Sequence, residues 1–133
     1  MKNLLDEIKS RKLWQTLLVY CGGGFGLMQV VQRETDDNFR VWGYAMMYTV
    51  QKRDSTADAA LREYIAKYQN EAAYEVGQIY AYRGESNLAF QWLERAYRQR
   101  DGGLLFMKCD PFLKNIRNDP RYVSFLKKMN LPV

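Results

Sequence analysis

From Tyr74 onward, apolar and small residues recur at helical spacing: Val76, Gly77 and Tyr80, then Ala89, Leu93 and Ala96. A recurrence every three or four residues lines such side chains along one stripe of a helix, where they can be buried together. Arg83-Gly84-Glu85-Ser86 interrupts the stripe. Gly84 suits a helix C-cap and Ser86 can begin the next helix, so the pattern predicts two short helices joined by a tight turn. The residues before it predict a more degenerate pair: a helix over Trp42 to Lys52, a turn at Arg53-Asp54-Ser55 and a helix over Thr56 to Tyr68. In that pair Ala59 and Ala66 repeat the seven-residue interval of Ala89 and Ala96. In the tail, Pro111 can open a short helix through Arg117. Asp119-Pro120 then starts another, with Asp119 as N-cap and Pro120 at the first position.

The amino-terminal pattern is different. Leu13 to Val31, LWQTLLVYCGGGFGLMQVV, contains no charged residue over 19 positions, close to the ~20 that span a bilayer core as a helix. Glycine is tolerated in membrane helices, and Trp14 and Tyr20 suit an interfacial or packed setting. Lys9, Arg11 and Lys12 precede the stretch, so the positive-inside rule leaves the arm in the cytoplasm and sends the rest of the chain outward. A small-x-small cleavage site is missing, which disfavours a cleaved signal peptide. Gly22 and Gly26 form a GxxxG that would admit a partner helix at close range. A phosphate-cradling turn is disfavoured, because no register completes GxGxxG and no GK[ST] follows. A soluble break between helices that pack on the domain behind it stays open as the alternative.

Composition narrows the chemistry. The chain has 133 residues, 47% apolar and 26% charged, which fits an ordered globular domain of about 100–150 residues. With no histidine, Ser-His-Asp and Cys-His catalysis, His-ligated zinc and imidazole switching are excluded. Cys21 and Cys109 cannot complete a four-thiolate metal site or a dense disulfide scaffold, and apolar neighbours suit buried inert thiols. The carboxylate pairs Asp6-Glu7, Asp36-Asp37 and Asp54/Asp58 sit in charged surroundings, where solvated ion pairs are the default over acid/base catalysis. We therefore expect no enzyme, no cofactor and no metal. Of the net charge of +5, most lies in the tail, where Lys108, Lys114, Arg117, Arg121, Lys127 and Lys128 face only Asp110 and Asp119. These cations alternate with Phe112, Leu113, Ile116, Tyr122, Phe125 and Leu126. That spacing reads as the solvated face of amphipathic helices and argues against nucleic acid as the partner.

The stretch YEVGQIYAYRGESNLAFQWLERAYRQRD resembles the tetratricopeptide repeat. Val76, Gly77 and Tyr80 fill the repeat's first-helix positions, and Ala89, Leu93 and Ala96 fill the second-helix positions. Ala73 stands where the repeat prefers Trp, and Asp101 where it prefers Pro. The tail from Arg100 to Pro132 is similar to the end of a group of bacterial tetratricopeptide proteins whose repeats stand behind a membrane helix. The amino terminus looks like that group's basic arm and membrane segment. With no enzymatic or DNA-binding domain expected before the apolar segment and fewer than two good repeats after it, the chain looks like a shortened member of that group.

The resemblance implies an all-α, short antiparallel solenoid with an N-terminal apolar helix and C-terminal capping helices. It organises the chain as a basic arm and apolar segment (1–32), a degenerate repeat (40–69), a clear repeat (71–101) and C-terminal helices (110–130). It implies a protein-interaction module whose first-helix face would present Tyr74, Gln78 and Tyr82, with Tyr44 and Tyr48 from the degenerate pair. The partner would be a protein or peptide segment, with self-association open through an uncapped end. Membrane attachment through 13–31 would place the module on the periplasmic side of a bacterial inner membrane. A cytoplasmic, wholly soluble structural or oligomerisation protein is the competing reading.

Overall fold

A computed structural model describes residues 36–133, and every regular element among them is helical. The apolar stretch 13–31, with Gly22, Gly26 and the expected N-terminal helix, lies outside the described residues. Among the described residues no helix is long and apolar enough to cross a membrane. The chain divides into two compact units between Lys67 and Tyr68.

The first unit contains α1 (Asp37–Val50) and α2 (Asp54–Tyr68). Asp36 starts α1 as its N-cap, its carboxylate accepting from the backbone N–H of Asn38 and Phe39. Those donors have no partner inside the helix, which is why a short acceptor is favoured there. The Tyr64 hydroxyl donates to Asn38 Oδ1 at 2.6 Å, tying the far end of α2 to the start of α1 and making the pair antiparallel.

The second unit begins with α3 (Ala73–Tyr82) and α4 (Ser86–Gln99). Two 3-10 segments follow, Gly102–Cys109 and Pro111–Ile116, and then α5 (Pro120–Lys128). As the sequence suggests, Asp119 caps α5 with Pro120 in its first turn. The tail is part of the core: Leu104, Met107, Leu113, Ile116, Tyr122, Phe125 and Leu126 are buried in one cluster with Ala89, Leu93 and Ala96. The clear pair packs closely because Gly77 is small. A Cβ there would lie 3.3 Å from Leu93 Cδ2.

The two helix pairs share one turn geometry and one spacing. Helices end at Val50 and Tyr82 and restart at Asp54 and Ser86, a displacement of 32 residues (50 to 82, 54 to 86). Lys52 and Gly84 both take the left-handed conformation, at φ 56° and 77°. The hydrogen bonds of the turns correspond as well: Lys52 N–H to Thr49 O and Arg53 N–H to Tyr48 O in one, Gly84 N–H to Ala81 O and Glu85 N–H to Tyr80 O in the other. This is the Schellman termination, in which the left-handed residue folds the chain back onto the last carbonyls.

The common register corrects one expectation. Ala59 and Ala66 are exposed, and the buried positions of α2 are Ala57, Leu61 and Tyr64, which correspond to Ala89, Leu93 and Ala96. The turn lies at Gln51-Lys52-Arg53 rather than Arg53-Asp54-Ser55, because a lysine fills the left-handed position that glycine marks in the clear pair.

Arg100, at φ 57°, closes α4 in the same way. A side chain in this conformation is disfavoured by its Cβ. Lys52→Gly and Arg100→Gly are each expected to stabilise the chain by about 0.5–1 kcal/mol in urea unfolding. A loss of stability in either would contradict the left-handed assignment.

Candidate functional site

Tyr74 and Gln78 lie one turn apart on α3 and so share a face. In the clear repeat that face was expected to be open; instead the tail closes it. Tyr74 is 1% and Gln78 0% exposed, and both donate to the carboxylate of Asp110, the residue between the two 3-10 segments. The Tyr74 hydroxyl reaches Asp110 Oδ2 at 2.6 Å. Oδ1 accepts from the Phe112 backbone N–H at 2.9 Å, starting the second 3-10 segment. Asp110 itself is 3% exposed. A buried carboxylate is tolerated when hydrogen bonds replace its water, and here three donors do so.

A second aspartate holds the other end. Asp101 Oδ1 accepts from Gly103 N–H at 2.9 Å, and Oδ2 accepts from Tyr74 N–H at 3.1 Å. The residue before α3, Ala72, offers no side-chain cap, so Asp101 supplies one from across the fold. This gives a physical reason for an aspartate at position 101. Tyr82 is half-buried, edge-on to Phe112 at 6.2 Å, and its carbonyl accepts from Asn115 Nδ2 at 2.7 Å.

The remaining predicted residues fall elsewhere. Val76, Gly77, Ala89, Leu93 and Ala96 are buried and Tyr80 is half-buried. Tyr44 and Tyr48 are half-buried, with rings stacked 6.2 Å apart and the Arg53 guanidinium 5.0 Å above Tyr48. They line a shallow cleft of about 530 Å³ with Val41, Ala60, Glu63 and Lys67. In the 32-residue register they correspond to Val76 and Tyr80, which are packing positions. The counterparts of Tyr74 and Gln78 are the buried Trp42 and Met46. Cys109 is exposed, not buried as its apolar neighbours suggested.

Sequence reasoning missed a larger groove, of about 880 Å³, between α4 and α5. Its signal was present in Phe90, Trp92, Arg95 and Arg98, two aromatic residues followed by two arginines outside the Ala89-Leu93-Ala96 stripe. Among the described residues no group of three or more Cys, Asp or Glu side chains is placed to hold a metal ion. No family model matches the chain, and no curated protein or solved structure matches it.

Burial, and then the Asp110 charge, hold the Tyr74 phenol well above its ordinary 10.0, and burial raises that of Tyr122. In the unfolded chain these phenols ionise near pH 10. The native state keeps its protons to higher pH, so the stabilisation is complete below pH ~10 and is lost as pH rises beyond it. Urea unfolding across this range should show a falling free energy, with a shallower fall in Tyr74→Phe. An unchanged slope in that variant would contradict the burial of the hydroxyl.

Proposed function

We propose that this chain is a non-enzymatic protein-interaction module built from tetratricopeptide-like helix pairs. In this reading residues 13–31 tether it to the inner membrane and the helical units face the periplasm. The observation that carries the reading is the helix-turn-helix unit occurring twice, with the same left-handed turn and the same buried register. Stacked helix pairs recognise partners through shape and packing, which suits a chain with no histidine. Because Tyr74 and Gln78 are closed off, the first unit offers Tyr44 and Tyr48 instead. Half-buried tyrosines supply a large ring with a polar tip, a combination suited to recognition surfaces.

The test is site-specific photo-crosslinking of the full chain in its native cell. A photoreactive residue replacing Tyr48 should give one discrete adduct with a different polypeptide, and one replacing the exposed Leu105 should not. Adducts with the chain's own copies alone would favour the oligomerisation reading and overturn this one. Release into the soluble fraction without detergent would overturn the tether.

A further inference from the structure

The groove between α4 and α5 has a floor and walls of different chemistry. Phe90 and Phe125 form its floor, 6% and 3% exposed, and Trp92 lies half-buried beside them. Cations stand over the rings: Arg121 is 4.6 Å from the Phe90 centroid, Arg95 is 5.0 Å from Trp92, and Lys128 is 4.4 Å from Tyr97. Such contacts fix a cation's position without cancelling its charge.

The cations differ in what balances them. Arg121 is paired with Asp119 at 2.7 Å, and Lys128 is paired with Glu94. On α4, Arg95 has one acceptor among the described residues, the neutral Asn70 Oδ1 at 3.0 Å, and Arg98 has none. These two guanidiniums stand one turn apart on α4, where like charges repel. An anion between them would relieve that repulsion and accept from both forks, the arrangement guanidinium groups favour for carboxylates.

We infer that this groove is a docking site for an acidic linear segment of a partner protein: a carboxylate sits between Arg95 and Arg98, and a neighbouring apolar side chain lies against the half-buried Trp92. Charge complementarity chooses the occupant, since the unbalanced charges in the groove are both positive. The groove is recessed between α4 and α5, which favours a peptide over a membrane surface, since a membrane would need an outward-facing apolar patch. The inference rests on the reading of the chain as an interaction module and names the chemistry of one partner.

The experiment is fluorescence anisotropy on the full chain, with a fluorescein-labelled peptide carrying glutamates on both sides of a Phe-Leu pair. Its counterpart has glutamine at every glutamate. The acidic peptide should bind in a salt-dependent manner, and the glutamine peptide should not. Arg95→Gln/Arg98→Gln should weaken binding at least about tenfold, whereas Lys114→Gln/Lys127→Gln, the same charge change outside the groove, should change it by less than about twofold. Thermal unfolding of both variants confirms that the fold is retained.

Equal losses in the two variants would mean diffuse attraction and would overturn the groove. Equal binding of both peptides would overturn it too, as would binding to phosphatidylserine vesicles but not to peptide. No peptide binding alongside a heterologous adduct from Tyr48 would sink the groove and leave the module reading standing. The absence of both would sink both.

Discussion

Gly103→Ala should remove much of the stability of the second unit. A Cβ at Gly103 would lie 2.4 Å from Tyr74 Cδ1 and 2.7 Å from its Cγ, distances that real carbon pairs do not tolerate. The ring cannot move aside easily, because its hydroxyl is held by Asp110 and the backbone N–H of the same residue by Asp101. Overpacking of a core typically costs 1–3 kcal/mol, and the doubly anchored ring puts this site near the top of that range, at about 3 kcal/mol. The neighbouring glycine is an internal control. A Cβ at Gly102 meets nothing within 4 Å, so Gly102→Ala should change stability by less than about 0.5 kcal/mol. Urea unfolding of the two variants decides the matter; equal midpoints would mean that the Tyr74 ring does not rest on Gly103. Gly77→Ala should fall between them, since the 3.3 Å approach to Leu93 opposes a helix-propensity gain of about 1 kcal/mol.

Asp110→Ala should be as damaging, for a different reason. It leaves the Tyr74 hydroxyl, the Gln78 amide and the Phe112 N–H without their shared acceptor inside the core. An unsatisfied buried donor costs about 1–3 kcal/mol, and water entering the vacated space offsets part of the sum, so we expect a loss of about 3–5 kcal/mol. Asp110→Asn keeps an acceptor for Phe112 and should lose less. If the hydroxyl's unmet donor is a real part of the penalty, Tyr74→Phe combined with Asp110→Ala should lose less than the two single losses added together. Strict additivity would show that the two residues do not interact.

How much was legible in the sequence follows from the kind of signal each feature left. The all-helical class and the α3–α4 pair were readable, because Val76, Gly77, Ala89, Leu93 and Ala96 mark a buried stripe and Gly84 marks the turn. The start of α5 was readable from Asp119-Pro120, a local capping signal. The first pair was placed two residues out of register, since Lys52 occupies a left-handed turn position that sequence alone assigns to glycine. The closed face of α3 was not readable. It depends on Asp110, 32 residues beyond Gln78 and 36 beyond Tyr74, and a lone aspartate before proline gives no sign of so distant a partner. The 3-10 segment Gly102–Cys109 escaped for a similar reason: its cap, Asp101, read locally as a departure from the repeat. The charge surplus of the tail read as a solvated face, but Arg121 and Lys128 of that tail join Arg95 and Arg98 of α4 along one groove.

The chain's own tail closes the Tyr74 and Gln78 face of α3 in the native state. Native-state hydrogen exchange of the Phe112 amide, the donor to Asp110 Oδ1, tests this directly. The predicted result is exchange only through global unfolding, with the same opening free energy as the slowest amides of α4. Fast exchange at Phe112 while the α4 amides stay protected would show that the tail opens on its own and exposes Tyr74 and Gln78, contradicting the account.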